Sequence, residues 1–275
     1  MIQIQFIQGG YDHAYVRTTH RSPDSRNRRA GTDRGQAGAG VPETPVRGVV
    51  TAFSASQAVI EQAIALGANL IITHEGVFYS HQKHGPELEQ DPVYKQKAEL
   101  IAGSDLGIYR FHDYLHRYTP DGIVDGLIRE LGWQEYVAEH RPAVSILTLP
   151  EMKVEEIAEH LKRRLHIPYV RVAGNLSASC ARVGVLVGYR GGGSTAIPLY
   201  DQDSLDVIIA GEGPEWETPE YIRDAARQGR NKALIMLGHA ESEAPGMKHL
   251  AGLLSEQFPG VPVHFIADPP VFRVL

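Results

Sequence analysis

Cysteine is nearly absent from this chain of 275 residues: Cys180 stands alone, which excludes an intramolecular disulfide and fits a reducing cytoplasm. No stretch approaches the roughly 18 consecutive apolar residues of a membrane span, so no membrane partner is expected. The opening residues, Met1-Ile2-Gln3-Ile4-Gln5-Phe6, have neither the basic nor the long apolar region of a secretory signal. Excess positive charge is missing too. The formal net charge is −6, so wholesale nucleic-acid binding is not expected. What remains is ordinary for a globular protein, at 43% hydrophobic and 22% charged, with length enough to bury one large core or two smaller ones. The 13 histidines are the one compositional hint of metal chemistry, a weak one because most histidines in any protein fill surface or core positions.

Lysine is absent from residues 11–46, while Arg17, Arg21, Arg26, Arg28, Arg29 and Arg34 all fall there, followed by Gly35-Gln36-Ala37-Gly38-Ala39-Gly40. Neither a helical nor a strand period is visible, so residues 1–46 are expected to be an irregular Arg/Gly-rich arm. A sharper reading makes it a nucleic-acid- or phosphate-binding arm.

From residue 47 the pattern becomes regular. Residues 49–53 read as a strand and 54–66 as a helix, capped by Ser54 or Ser56 and closed by Gly67. Strand 70–73 follows, and a short helical return predicts parallel pairing. Helices are expected at 92–103, 124–131, 154–165, 219–228 and 247–257. Strands are expected at 106–110, 144–149, 169–172, 182–187, 205–210, 234–237 and 261–266. Gly191-Gly192-Gly193-Ser194 lacks the GxxxxGK[ST] spacing of a phosphate loop and reads as a plain tight loop. Strands alternating with helices throughout give an α/β class. The expected division is a metal-site-bearing region of 47–140 and 200–275 and a smaller α/β region of 141–199.

The chemistry lies at strand ends. The apolar run Leu70-Ile71-Ile72-Thr73 stops at His74-Glu75, and Ala233-Leu234-Ile235-Met236-Leu237-Gly238 stops at His239. Open α/β sheets gather ligands just beyond the carboxyl ends of their strands. A third cluster, His112-Asp113-Tyr114-Leu115-His116, follows strand 106–110. The i, i+4 spacing puts His112 with His116, and His239 with Glu243, on one face of a helical turn. Any one such histidine is more often a capped or solvated residue, but three histidine-plus-acid clusters after strands suggest one metal site assembled by folding. The donors suit zinc, iron, manganese or nickel and do not choose among them.

At these residues the chain resembles the NIF-three-like family of dinuclear metal-centre proteins, whose members carry the name GTP cyclohydrolase I type 2 homolog. Leu66-Gly67-Ala68-Asn69-Leu70-Ile71-Ile72-Thr73-His74-Glu75 is similar to the family's Leu-Gly-Ala-Asp-Leu-Ile-Ile-Thr-His-His. Tyr109 to His116 stands against its Tyr-Ser-Ala-His-Thr-Asn-Leu-Asp, and Gly211-Glu212 and Gly238-His239 through Glu243 against its C-terminal motifs. The resemblance implies two α/β domains with largely parallel sheets, a metal cleft at strand carboxyl ends, two bridged divalent ions and a toroidal homohexamer. It implies His74, His239 and Glu243 as ligands, with His112 a ligand or a neighbour of one. Glu75 stands where the family has histidine, and His116 where it has aspartate. The exchange conserves three imidazoles and two carboxylates in that five-residue set, as a working site with altered metal preference would. Nothing in residues 1–45 resembles the family's opening, which is the pattern an out-of-frame or misassigned start gives; a mass spectrum of native protein tests it.

The function expected from these residues and this resemblance is a cytoplasmic divalent-metal-binding protein with a dinuclear centre. It would be hydrolase-like, acting on a nucleotide or another phosphorylated small molecule, with Glu212, Asp113 and Glu241 as the nearby acid–base candidates. The alternative is a non-catalytic metal chaperone or regulatory scaffold.

Overall fold

The computed structural model of the protein describes residues 4–9, 13–18, 37–39, 45–79 and 86–275. Within residues 1–46 the described parts are four strands: β1 (Ile4–Gly9), β2 (His13–Thr18), β3 (Ala37–Ala39) and the two-residue β4 (Pro45–Val46). Arg21, Arg26, Arg28, Arg29 and Arg34 lie outside the described residues. The chain divides into two compact units, Met1–Tyr114 with Met247–Asp268, and Leu115–Gly246 with Pro269–Leu275.

The first unit is built on strands β5 (Val49–Ala52), β6 (Leu70–Thr73) and β7 (Gly107–Arg110), preceded by the short β4 (Pro45–Val46). β5 and β6 are buried at every position, as their unbroken apolar and β-branched sequences require. With β14 (Val263–Phe265) the sheet order is β14-β5-β6-β7-β3, parallel except at β3. Helix α1 (Gln57–Ala65) returns the chain between β5 and β6 and buries Val59, Ile60 and Ala63. Ser56 caps it by accepting the Val59 N–H, and Gly67 ends the return at φ +70°. Asn69 staples the entrance of the sheet, accepting from the Arg47 N–H at 2.8 Å and donating to the Pro45 carbonyl at 2.8 Å. A single turn, α2 (Pro86–Glu89), precedes α3 (Pro92–Ala102), which is capped by Asp91 and carries Pro92 in its first turn.

After the turn α4 (Asp113–His116) and helix α5 (Gly122–Leu131), the second unit forms its own sheet. Its strands are β8 (Val137–His140), β9 (Ser145–Lys153), β10 (Arg171–Ala173), β11 (Ser179–Leu186), β12 (Val207–Ala210) and β13 (Ala233–Met236). The order is β10-β13-β12-β11-β9-β8, with a parallel centre (β11, β12, β13) and antiparallel strands on either side. Helix α6 (Val154–Leu165) buries Val154, Ile157, Ala158 and Leu161, the face its apolar spacing predicts. The triple glycine is not only a loop: Gly192 caps α7 (Gly193–Gln202), which the glycines and the internal Pro198 hide from a sequence reading. Helix α8 (Thr218–Arg227) leads to β13. Helix α9 (His239–Gln257) starts eight residues before the expected 247, runs through Pro245, and passes from the second unit into the first. Residues 200–246 share a sheet with 141–199, so the contact division differs from the sequence division at that boundary.

Among the described residues no helix is long and apolar enough to cross a membrane.

Candidate metal centre

In the first unit, Ala52 pairs with Thr73 and Thr73 with Arg110, so three parallel strands end in line. The residues just beyond them, Phe53, His74-Glu75 and Phe111-His112, leave from one edge. The ladder runs on past the strands: Glu75 N–H donates to the Phe53 carbonyl at 2.7 Å and Phe111 N–H to the Thr73 carbonyl at 2.7 Å. His74 is fully buried, and its ring stacks on that of His112 with centroids 4.3 Å apart. Glu75 places Oε1 3.6 Å from His112 Nε2 and accepts from Arg110 through Oε2 at 3.4 Å. Asp113 Oδ1 lies 2.8 Å from His112 Nδ1. Burial first, then the neighbouring His74, pull the His112 pKa down to about 4 against the pull of Asp113. At neutral pH His112 is thus an uncharged imidazole, the form that binds metal.

The second unit repeats the device. Leu186, Ala210 and Met236 are in register, and the next residues carry the site. Gly211 N–H donates to the Leu186 carbonyl at 3.1 Å, Glu212 N–H to Gly188 at 2.9 Å and Gly238 N–H to Gly211 at 2.9 Å, locking three turns together. His239 and Glu243 lie one turn apart on α9, with Nε2 3.1 Å from Oε2. Glu212 Oε1 sits 2.8 Å from His239 Nδ1. Burial lowers the His239 pKa, but hydrogen bonding and charge from Glu243, then Glu212, outweigh it and push the value up to about 9. His116 points Nδ1 at Asp121 Oδ2 (2.9 Å) and holds Nε2 3.9 Å from Glu243 Oε1. Gly188, at φ +58°, backs the group: a Cβ there would collide with Glu243 and come 3.2 Å from His239 Nε2. Buried Ser242 closes the backing, its hydroxyl accepting from Gly188 N–H at 2.9 Å and donating to the His239 carbonyl at 2.8 Å.

Three of the four histidines share one arrangement, with Nδ1 on a carboxylate (Asp113, Asp121 or Glu212) and Nε2 facing another. A carboxylate on one ring nitrogen fixes the tautomer and leaves the other nitrogen's lone pair for a metal. The gaps of 3.6 Å and 3.9 Å from Nε2 to Glu75 and Glu243 are too long for hydrogen bonds. They suit donors sharing one ion, which stand roughly 3–4 Å apart when each is about 2.0–2.2 Å from it. The first unit carries two imidazoles and one carboxylate at its strand ends, His74, His112 and Glu75, and the second unit carries His116, His239 and Glu243. Groups of histidine and glutamate side chains that could hold a metal ion are therefore present, and the donor set fits a divalent cation.

The sequence profile of the Duf34/NIF3 (NGG1p interacting factor 3) family matches residues 31–270. The chain belongs to the DUF34/NIF3 family. It is similar to the GTP cyclohydrolase 1 type 2 homolog of Deinococcus radiodurans, 27% identical over 233 residues that cover 82% of this chain and 81% of that protein. The protein of the same name from Chlamydia trachomatis is 26% identical over 222 residues, covering 78% and 82%. Among solved structures, one described as protein ybgI, of unknown function, superposes with a TM-score of 0.69 at 24% identity, covering 87% of this chain and 92% of that one. A Bacillus cereus protein related to NIF3 gives 0.68 at 18% identity, covering 89% and 94%. These structural likenesses establish the shared NIF3 fold.

The DUF34/NIF3 resemblance read from the sequence thus holds, and its six candidate ligands fall at strand ends or on the turns that follow. Of the three acid–base candidates, Asp113 and Glu212 each hold a histidine Nδ1. Glu241 lies in the first turn of α9. The sequence reading missed Asp121, Arg190 and Gly188. Asp121-Gly122 before an apolar helix was a legible capping signal, while Arg190 and Gly188 carried none.

Proposed function

We propose that the two donor trios hold two divalent ions as a dinuclear centre, and that the protein is a metal-dependent hydrolase acting on a nucleotide or another phosphorylated small molecule. The observation that carries this is the repeated imidazole held by a carboxylate, which prepares Nε2 of His112 and His116 as metal donors; His239, held by Glu212 at Nδ1 and by Glu243 at Nε2, would join them by releasing its Nε2 proton to a bound ion. His74, Glu75 and Glu243 complete the set. The chemistry such ions supply when bound is polarisation of a phosphoryl or carbonyl oxygen and activation of water.

The chain's own residues orient and exclude. Asp113, Asp121 and Glu212 keep the imidazoles in one tautomer. Gly188 leaves the room beside Glu243 and His239 that any side chain would fill. Glu212, with a side chain 42% exposed, is the carboxylate we assign to proton transfer with solvent or substrate. The name shared by the relatives, GTP cyclohydrolase 1 type 2 homolog, makes guanine nucleotides the first substrates to try. We further assign the protein to the cytoplasm, on its single cysteine, and to a homohexamer on family resemblance; light scattering that reports a monomer at micromolar concentration removes the hexamer.

The deciding experiment is a screen of nucleotides and phosphate esters with zinc-, iron- and manganese-loaded protein. Turnover lost in Glu243→Gln supports the hydrolase. Tight metal binding with no turnover across the screen overturns it in favour of a metal chaperone or scaffold.

A further inference from the structure

We propose that Asp121 and Arg190 are positioning residues that make His116 a metal donor: Asp121 fixes the imidazole with its proton on Nδ1, and Arg190 holds Asp121 in place. This rests on the metal-centre reading above and adds two residues to it.

A carboxylate at position 116 would offer lone pairs on either oxygen. An imidazole offers one, and only on the nitrogen that carries no proton. The histidine that stands here therefore needs a neighbour to settle its tautomer. Asp121 is that neighbour. It is 7% exposed and uses both oxygens. Oδ1 caps α5, accepting from Ile123 N–H at 3.0 Å and Val124 N–H at 3.3 Å. Oδ2 accepts from His116 Nδ1 at 2.9 Å. The same Oδ2 accepts from Arg190 through both terminal nitrogens, at 3.1 Å and 3.0 Å. Arg190 comes from the turn after β11 that also carries Gly188, so the turn backing Glu243 also braces the carboxylate behind His116. Arg190 Nη2 lies 3.1 Å from His116 Nδ1 because both nitrogens converge on Asp121 Oδ2; with the proton on Nδ1 they are neighbouring donors to one oxygen and not a hydrogen-bonded pair.

Asp121→Asn separates the two tasks. Asparagine caps helices about as well as aspartate, so Oδ1 stays on the α5 amides. The amide nitrogen then replaces Oδ2 and presents a donor to Nδ1, with Arg190 presenting another. His116 should move its proton to Nε2 and lose the lone pair that would meet the metal.

The test uses full-length protein, freed of metal, at pH about 8. The nitrogen-15 spectrum of the imidazoles is compared for wild type and Asp121→Asn, with the His116 signals assigned by their absence in His116→Asp. Zinc affinity is then measured against a competing chelator. Wild type should show a protonated Nδ1 on His116, and Asp121→Asn a protonated Nε2. Zinc binding should weaken roughly 10–100-fold in the variant, the range expected for a lost outer partner. Arg190→Met should move the same signals while leaving the helix cap intact. In a His116→Asp background Asp121→Asn should leave zinc affinity unchanged. An unmoved tautomer, or a lowered metal-free melting temperature with unchanged zinc affinity, would show that Asp121 is a helix cap alone and overturn the proposal. If wild type binds no zinc, iron or manganese, the metal-centre reading fails by itself, and the tautomer comparison still decides the clamp.

Discussion

Removing the proton-holding carboxylates' partner, by His239→Gln, should flatten the alkaline side of the metal-free protein's stability profile. The His239 pKa stands at about 9, against 6.5 for the ordinary side chain, because Glu243 and Glu212 outweigh its burial. A value raised in the folded state means that folding favours the protonated ring. The associated stability is fully present below about pH 6.5 and is lost as pH rises through about 9. At 1.36 kcal/mol per pKa unit the shift corresponds to roughly 3 kcal/mol at most. Urea unfolding of wild type and variant, in chelator, at pH about 6, about 7.5 and about 9.5 gives the difference curve. Taking the difference also cancels Lys97, whose pKa burial lowers to about 8 despite Asp268. That depressed value works in the opposite direction, adding stability as pH climbs from about 8 towards the ordinary lysine range. The wild-type advantage should shrink by roughly 2–3 kcal/mol across the window. A difference that stays flat from pH about 6 to about 9.5 would refute the carboxylate–imidazole arrangement at His239.

Gly188→Ala should destabilise the fold by about 1–3 kcal/mol, since φ +58° strains any other residue, and should also weaken metal binding because the new methyl meets Glu243; denaturation and zinc titration check the two effects. Glu75→His and His116→Asp should each lower metal affinity, while the double change restores much of it. Strict additivity in metal occupancy would make those two residues independent of one centre. Chelation should lower the melting temperature, because an ion bound only by the folded state stabilises it by mass action, and an unchanged melt after verified metal removal counts against a native-state site.

Much of the fold was legible because local signals agreed with tertiary demands. The unbroken run Leu70–Thr73 reads as a buried parallel strand and is one, and Ser56 and Gly67 bracket α1 as capping chemistry predicts. The amphipathic helix Val154–Leu165 needed only its apolar period. Signals failed where glycine and proline entered helices. Gly193 and Pro198 lie inside α7, and Pro245 and Gly246 lie inside α9. Gly246 is required there by packing: a Cβ would come 2.7 Å from the Ile123 backbone, so close approach to α5 overrides helix propensity. The division into units was illegible because β12 and β13 join the sheet of β9 and β11 through pairings distant in sequence. The candidate ligands were legible as polar residues ending apolar strands. Their orienting partners were not: Asp121 meets Arg190 across 69 positions, and Glu212 meets His239 across 27, contacts that only folding creates.

A dinuclear centre is tested most directly by counting ions. Protein purified without added metal, then dialysed against limiting zinc, iron or manganese, should retain about two divalent ions per chain by elemental analysis. Glu243→Gln should lose most of them while keeping its secondary structure. Stoichiometric retention in that variant, or no ion retained by wild type under any of the three metals, would contradict a metal centre built from these residues.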